Sequence, residues 1–136
     1  MVKEKIVLIG GGGHCRSCID VIEATNEYDI VGIIDKKEML GTDVFGYPVI
    51  ATDEDLPIKG IKKYIVTVGQ IKSPEIRKNI VMKLYRYRVE FPIIVSPTAY
   101  VSPRASIGEV TIIMHKAVLN AGARVGLHCI LNSAAL

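Results

Sequence analysis

An aliphatic residue recurs at every sixth position near the end of this chain: Val95, Val101, Ile107, Ile113, Leu119, Val125 and Leu131. Four places after each comes a small side chain: Ala99, Ala105, Thr111, Ala117, Ala123, Cys129 and Ala135. A hexapeptide period of this kind predicts a parallel β-helix, each hexad supplying one short strand and a corner. The aliphatic residue should point inward and stack on its equivalents in neighbouring coils. The small residue should sit where the chain turns, because a larger one would crowd the corner. Ordinary strands separated by glycine turns would not hold one spacing over so many hexads. Solenoid units bury their apolar faces only against one another, so about three or more coils and a terminal cap are expected. At three hexads per coil the period covers little more than two coils, and the sequence closes Ile130-Leu131-Asn132-Ser133-Ala134-Ala135-Leu136 without a capping element. The β-helix therefore reads as truncated. Its open end, with Leu131 and unpaired strand edges, should promote self-association.

Composition narrows the function classes. Of the 136 residues, 49% are hydrophobic and 23% charged, enough for a packed core and inconsistent with disorder. Aromatic residues make up 6%, with no Trp, a poor supply for stacking nucleic-acid bases. The net charge of +3 comes from Lys and Arg scattered from Lys3 to Arg124, which reads as a solvated surface rather than a nucleic-acid patch. No apolar stretch is long enough for a signal-peptide core or a membrane span, so no membrane insertion is expected. Three cysteines do not suggest a disulfide framework. A reduced, cytoplasmic setting is the economical reading.

Before the hexads the chain alternates strand and helix. Residues 5–9 read as a buried strand entering Gly10-Gly11-Gly12-Gly13, and Cys15, Cys18, Ile19 and Ile22 then mark one face of a helix. Residues 30–34 form a second strand ending at Asp35, and residues 64–68 a third, stopped by Gly69. Ser73-Pro74 marks a helix start, the Ser as N-cap and the Pro at the first helical position. That helix should carry Ile76, Ile80, Val81 and Leu84 inward, with Arg77, Lys78, Lys83 and Arg86 outward. Residues 91–95 read as a returning strand. Residues 36–61 carry mainly turn signals, with Thr52-Asp53-Glu54-Asp55 capping a short helix. The pattern predicts an α/β fold: a small parallel sheet over residues 1–95 with helices packed on it, then the β-helix over residues 96–136.

The glycines stand where open α/β sheets bind ligands, between the first strand and the first helix. Helix-start N–H groups favour phosphate, and glycine allows close approach. Asp35 stands where an acid usually meets a ribose hydroxyl. The dinucleotide fingerprint fails, because its third glycine would fall on Cys15 or Arg16. A nucleotide with one ribose fits better than NAD, and a turn without ligand is the plainer alternative. His14 at the helix start reads equally as a neutral pocket-lining side chain or a structural one. Cys15 and Cys18 share the apolar face of Ile19 and read as core, and no further ligands are spaced for zinc. His115 and His128 occupy neither the core nor the corner position of their hexads and should point outward. A general base in a cleft is one reading of them, and an ordinary surface residue the plainer one.

Several segments in combination carry a resemblance. Gly10-Gly11-Gly12-Gly13-His14, Asp20, Gly32-Ile33-Ile34-Asp35, Gly46-Tyr47-Pro48-Val49, Val68-Gly69 with Arg77, and the tracts 112–114, 118–120 and 130–132 occur in the order of one family. The chain resembles, over its whole length, the NeuD- and PglD-like sugar acetyltransferases. These are sialic-acid O-acetyltransferases and UDP-amino-sugar N-acetyltransferases of cell-surface glycan biosynthesis. The resemblance implies a Rossmann-like domain holding a nucleotide sugar or sialic-acid-type sugar, then a left-handed β-helix that binds acetyl-CoA as co-substrate, without metal, and forms a homotrimer. It places substrate binding at Gly12, Gly13, His14, Asp35 and Gly69, and at Asn120 and Asn132 on the β-helix. The family's catalytic His lies in a Glu-His-Asp or similar element a few residues after Ile-Leu-Asn-x-x-x-Val, beyond Leu136 here. These 136 residues alone are therefore expected not to transfer acetyl groups. Gln70-Ile71-Lys72 departs from the short polar or acidic turn of other members. A non-catalytic nucleotide-sugar-binding module is the alternative function.

Overall fold

The computed structural model describes residues 2–68, 74–108, 112–125 and 130–131. Strand β1 (Glu4–Ile9), helix α1 (Gly13–Thr25) and strand β2 (Tyr28–Ile34) make the first crossover. Strands β3 (Asp43–Val44), β4 (Tyr47–Ala51) and β5 (Lys63–Val66) follow, then helix α2 (Pro74–Tyr85). These strands form one sheet in the order β3-β4-β2-β1-β5, parallel except for β3, which runs antiparallel to β4. Strand β1 has β2 on one side and β5 on the other, so its carboxyl end is a topological switch point. Crevices at such points are where open sheets of this kind bind ligands.

The sheet is buried on both faces because β1 alternates cleanly. Ile6 and Leu8 point to the α1 side with Cys15, Cys18, Ile19 and Ile22. Val7 and Ile9 point to the α2 side with Val66, Val81 and Leu84. Lys78, Lys83 and Arg86 face solvent, as the helical period predicts. The expected short helix at Thr52 is a 3-10 turn, Asp53–Asp55, closed by a capping box in which the Thr52 N–H donates to Asp55 Oδ2 at 3.0 Å.

Two sequence expectations need correction. Residues 36–61 contain β3 and β4, where turns were read; Pro48 within β4 hides a strand that carries only five residues. Residues 91–95 do not return to the sheet. The Glu90 backbone bridges to the edge of β5 through Tyr64 N–H to Glu90 O at 3.0 Å and Glu90 N–H to Lys62 O at 2.7 Å. Pro92 then removes a donor and restricts the residue before it, so pairing along β5 stops. Strand β6 (Ile94–Val95) pairs instead with β9 (Ile112–Ile113), eighteen residues on.

The same spacing organises the rest of the hexads. Strand β7 (Tyr100–Val101) pairs with β10 (Val118–Leu119), β8 (Ser106–Ile107) with β11 (Arg124–Val125), and β9 with β12 (Ile130–Leu131), all parallel. Val95, Val101, Ile107, Ile113, Leu119 and Val125 meet Ala99, Ala105, Ala117 and Ala123 in one apolar cluster. The residue before each inner aliphatic points the other way. On the β6–β9 side these are Ile94 and Ile112, 1% and 0% exposed, and they join the α1 cluster together with Met114. Burying two such side chains contributes roughly 3–6 kcal/mol. This contact fixes the hexad segment against the helix that leaves the glycine turn.

Candidate functional site

The glycines of the turn after β1 do different work. Gly10 has φ +116°, a region closed to most side chains, and a Cβ there would lie 2.6 Å from Val68 Cγ2. Its N–H donates to Ile34 O at 2.8 Å, and its carbonyl accepts the Thr67 hydroxyl at 2.5 Å. A Cβ on Gly11 would stand 2.6 Å from Asp35 Oδ2, so only glycine lets that carboxylate lie against the turn. Gly12 differs from both. Its φ of −70° and ψ of −170° suit any residue, and no atom lies within 4 Å of where its Cβ would be. Nothing among the described residues demands a glycine there.

Gly12 is the N-cap of α1, without a side-chain cap and with no acidic residue in the first turn. The first turn of a helix presents unsatisfied N–H groups and the positive end of the macrodipole. Open space over Gly12 gives an oxyanion access to them. Asp35 closes the other side of the turn, half-buried, with Oδ1 held by the Lys36 N–H at 2.8 Å. Its Oδ2 faces the turn as an acceptor for a hydroxyl. Thr67, 1% exposed, pins the turn from β5's end, a role that sequence reading missed because it depends on a bond between positions fifty-seven residues apart.

The structure thus brings Asp35 against Gly11, which Gly12 and Gly13 follow in the chain. His14 follows them, half-buried, with Nε2 shielded from solvent. Gly69, Asn132 and His128 lie outside the described residues. Asn120 is exposed in the turn after β10, on the hexad segment. Cys15 and Cys18 are fully buried, on the core face that the helical period assigned them. Burial pushes the Cys15 thiol up to about 11, the Thr67 hydrogen bond pulls it down, and the Asp35 charge adds to the rise. Such a thiol is unreactive at neutral pH. Among the described residues no group of His, Cys, Asp and Glu could hold a metal ion.

His115 departs from the plainer sequence reading of a surface residue. It points away from the hexad cluster, as expected, but toward α1, where its Nε2 lies 2.8 Å from Asp20 Oδ2. Its Nδ1 is 2.5 Å from Ser96 Oγ and 3.3 Å from Thr98 Oγ1. The arrangement has the members of a Ser-His-Asp triad but not its chemistry. Ser96 is 1% exposed and its Oγ already accepts the Thr98 N–H at 3.1 Å, so no substrate carbonyl reaches it. Two open surface cavities, about 380 Å³ beside Tyr85 and Phe91 and about 510 Å³ beside Lys3 and Tyr28, lie away from the glycine turn.

The geometry can be set against known proteins. The profile of the PglD N-terminal domain matches residues 5–84. No curated protein matches the chain. Among solved structures, the acetyltransferase domain of PglB from Neisseria gonorrhoeae, in complex with acetyl coenzyme A, is similar with a TM-score of 0.85 and 30% identity. The match covers 98% of this chain and 63% of that one. PerB from Caulobacter crescentus, in complex with CoA and GDP-perosamine, is similar with a TM-score of 0.84 and 28% identity, over 95% of this chain and 60% of that one. The chain therefore spans less than two thirds of the length of either structure.

Proposed function

Because the chain belongs to the family of the PglD N-terminal domain, we propose that its glycine turn binds the nucleotide part of a nucleotide-activated amino sugar or sialic-acid-type sugar. In this reading the protein is an acetyl-CoA-dependent sugar O- or N-acetyltransferase of cell-surface glycan biosynthesis, acting in the cytoplasm. The observation that carries the reading is Gly12, a glycine that no neighbouring atom among the described residues requires, at a helix start whose first turn carries no acidic residue. A ligand phosphate supplies the missing requirement. The Gly12 and Gly13 backbone and the amides beyond them hold a diphosphate, and Asp35 accepts a ribose hydroxyl. His14 lines the same pocket. Gly69 and, from the hexad segment, Asn120 and Asn132 complete the substrate surface on the strength of the resemblance.

We assign residues 1–95 to a Rossmann-like nucleotide-sugar domain and residues 96–136 to a left-handed β-helix, which the eighteen-residue strand pairing supports. The β-helix would bind acetyl-CoA and join three copies into a homotrimer. Acetyl transfer then proceeds directly. The sugar nitrogen or oxygen attacks the thioester carbonyl, the C–S bond breaks, and coenzyme A leaves as its thiol. The acceptor's proton passes to a general base and on to the departing sulfur, while N–H donors stabilise the oxyanion. The base is assigned, by the resemblance, to the His of the Glu-His-Asp-like element. No helix among the described residues is long and apolar enough to cross a membrane.

Calorimetric titration with UDP, GDP, a UDP-amino sugar and NAD tests the reading. Binding of a nucleotide diphosphate that is lost on Asp35→Ala, with the fold intact by circular dichroism, is the expected result. Binding of NAD alone, or of none of the four, refutes it.

A further inference from the structure

We infer that His115 is a positioning residue for the nucleotide-sugar site: through Asp20 it sets the placement of α1, whose first turn is the site. The inference rests on the nucleotide reading proposed above. Asp20 lies in the middle of α1, on the same rigid element as Gly12 and Gly13. Any rotation or slide of this helix moves the first-turn amides and the turn that touches Asp35. Apolar contact with Ile94, Ile112 and Met114 holds α1 against the hexad segment, but burial is non-directional and leaves rotation and slide weakly defined. The Asp20–His115 bond adds direction across this junction.

The imidazole is itself held on its other side. The Asp20 carboxylate only accepts, so Nε2 carries the proton and donates to it. On the other side of the ring, Nδ1 and the Ser96 hydroxyl share a hydrogen bond. Ser96 Oγ accepts the Thr98 N–H at 3.1 Å, and Thr98 Oγ1 accepts the Lys116 N–H at 3.0 Å. Two corners of the hexad segment, one before β7 and one before β10, therefore orient a single ring. Lys116, next to His115, adopts φ +58°, a left-handed conformation that non-glycine residues seldom take.

Stability alone does not explain the cluster. The Asp20 side chain is 69% exposed and that of His115 31%, and pairs so exposed add little to stability. Orientation is what such a bond supplies. The charge and polar groups facing the ring come from α1, as Asp20, and from the hexad corners, as Ser96, Thr98 and the Lys116 backbone.

The experiment uses the same 136-residue chain and whichever of UDP or GDP binds the unaltered protein. Calorimetry and thermal melts are run on His115→Ala, Asp20→Ala, Asp20→Asn and the double alanine variant. Asn keeps an acceptor for the His115 N–H and removes only the charge. Each alanine variant should bind the nucleotide about fivefold or more weakly. The double variant should be no weaker than either single, and Asp20→Asn should stay within about twofold of the parent, a rescue that follows from keeping the acceptor. Melting temperatures should stay close together. Unchanged nucleotide affinity in folded Asp20→Ala overturns the inference while leaving the nucleotide reading intact. If neither nucleotide binds the unaltered protein, the nucleotide reading falls and the inference falls with it. Should His115→Ala fail to fold, the Asp20 pair of variants still decides the matter.

Discussion

Replacing Gly12 with Ser separates ligand demand from fold demand at the glycine turn. The backbone at Gly12 is extended, with φ −70° and ψ −170°, which is ordinary for an N-cap and for Ser. A serine Cβ would meet no atom within 4 Å. The hydroxyl can accept an N–H of the first turn, worth a few tenths of a kcal/mol over glycine. Loss of glycine's freedom in the unfolded chain adds about 0.4–1 kcal/mol. The folded protein should therefore gain about 0.5–1.5 kcal/mol, seen as a melting temperature higher by about 2–5 °C. Ligand binding should move the other way. The added atoms fill the space through which phosphate oxygens reach the amides, and losing one charge-assisted bond of about 1.5–3 kcal/mol weakens binding by about ten- to a hundredfold. The paired assay is a thermal melt without nucleotide and calorimetry with the nucleotide that binds the parent. Gly11→Ala serves as the contrast. Its Cβ would stand 2.6 Å from Asp35 Oδ2, so the carboxylate must swing off the turn and that variant should lose binding without the gain in stability. A stable Gly12→Ser protein that binds nucleotide within twofold of the parent would refute the reasoning, because the glycine would then have no purpose in fold or ligand.

Two further outcomes follow from packing and titration. Ile112→Ala opens a cavity between α1 and the hexad segment at a side chain with 0% exposure, and should cost about 2–5 kcal/mol in a urea melt. A cost below about 1 kcal/mol would mean that the junction is not packed as described. Stability should also fall as pH rises from 9 toward 11. The Cys15 thiol ionises near 9 in the unfolded chain but keeps its proton to about 11 when folded, so the folded state binds more protons across that window. The loss reaches roughly 2–3 kcal/mol at its upper end. Tyr47, whose hydroxyl donates to Glu23 at 2.6 Å and is held up to about 12 chiefly by that bond, acts in the same direction. Urea midpoints at pH 7.5, 9 and 10.5 should decline in that order, and Cys15→Ala should flatten the decline. An equal slope in Cys15→Ala would show that the thiol is not buried in solution.

What the sequence disclosed, and what it concealed, divides along one physical line: local periodicity against distant juxtaposition. The six-residue beat and the apolar run of β1 are local consequences of burial, so the inner aliphatics and the buried strand could be read directly. The placement of the glycines and Asp35 followed from their positions at strand ends. The division of labour among Gly10, Gly11 and Gly12 could not, because it depends on where Val68 and Asp35 stand in space. Strand β4 was hidden by Pro48. A signal for the junction was present but lies one level above the hexad. The residues before the inner aliphatics are Ile94, Ile112 and Ile130 in every third hexad, but Tyr100 and Val118, or Ser106 and Arg124, in the others. Among the described members of this set, Ile94 and Ile112 are the fully buried ones, at 1% and 0% exposure, and they mark the side that is covered. On that side α1 covers Ile94 and Ile112, and His115, just after the second of them, finds Asp20 across ninety-five residues of sequence. On the nucleotide reading proposed above, a helix that starts at the glycine turn and also lies on the hexad stack couples the placement of one to the other. This is why the polar pair at its middle bears on the site at its start.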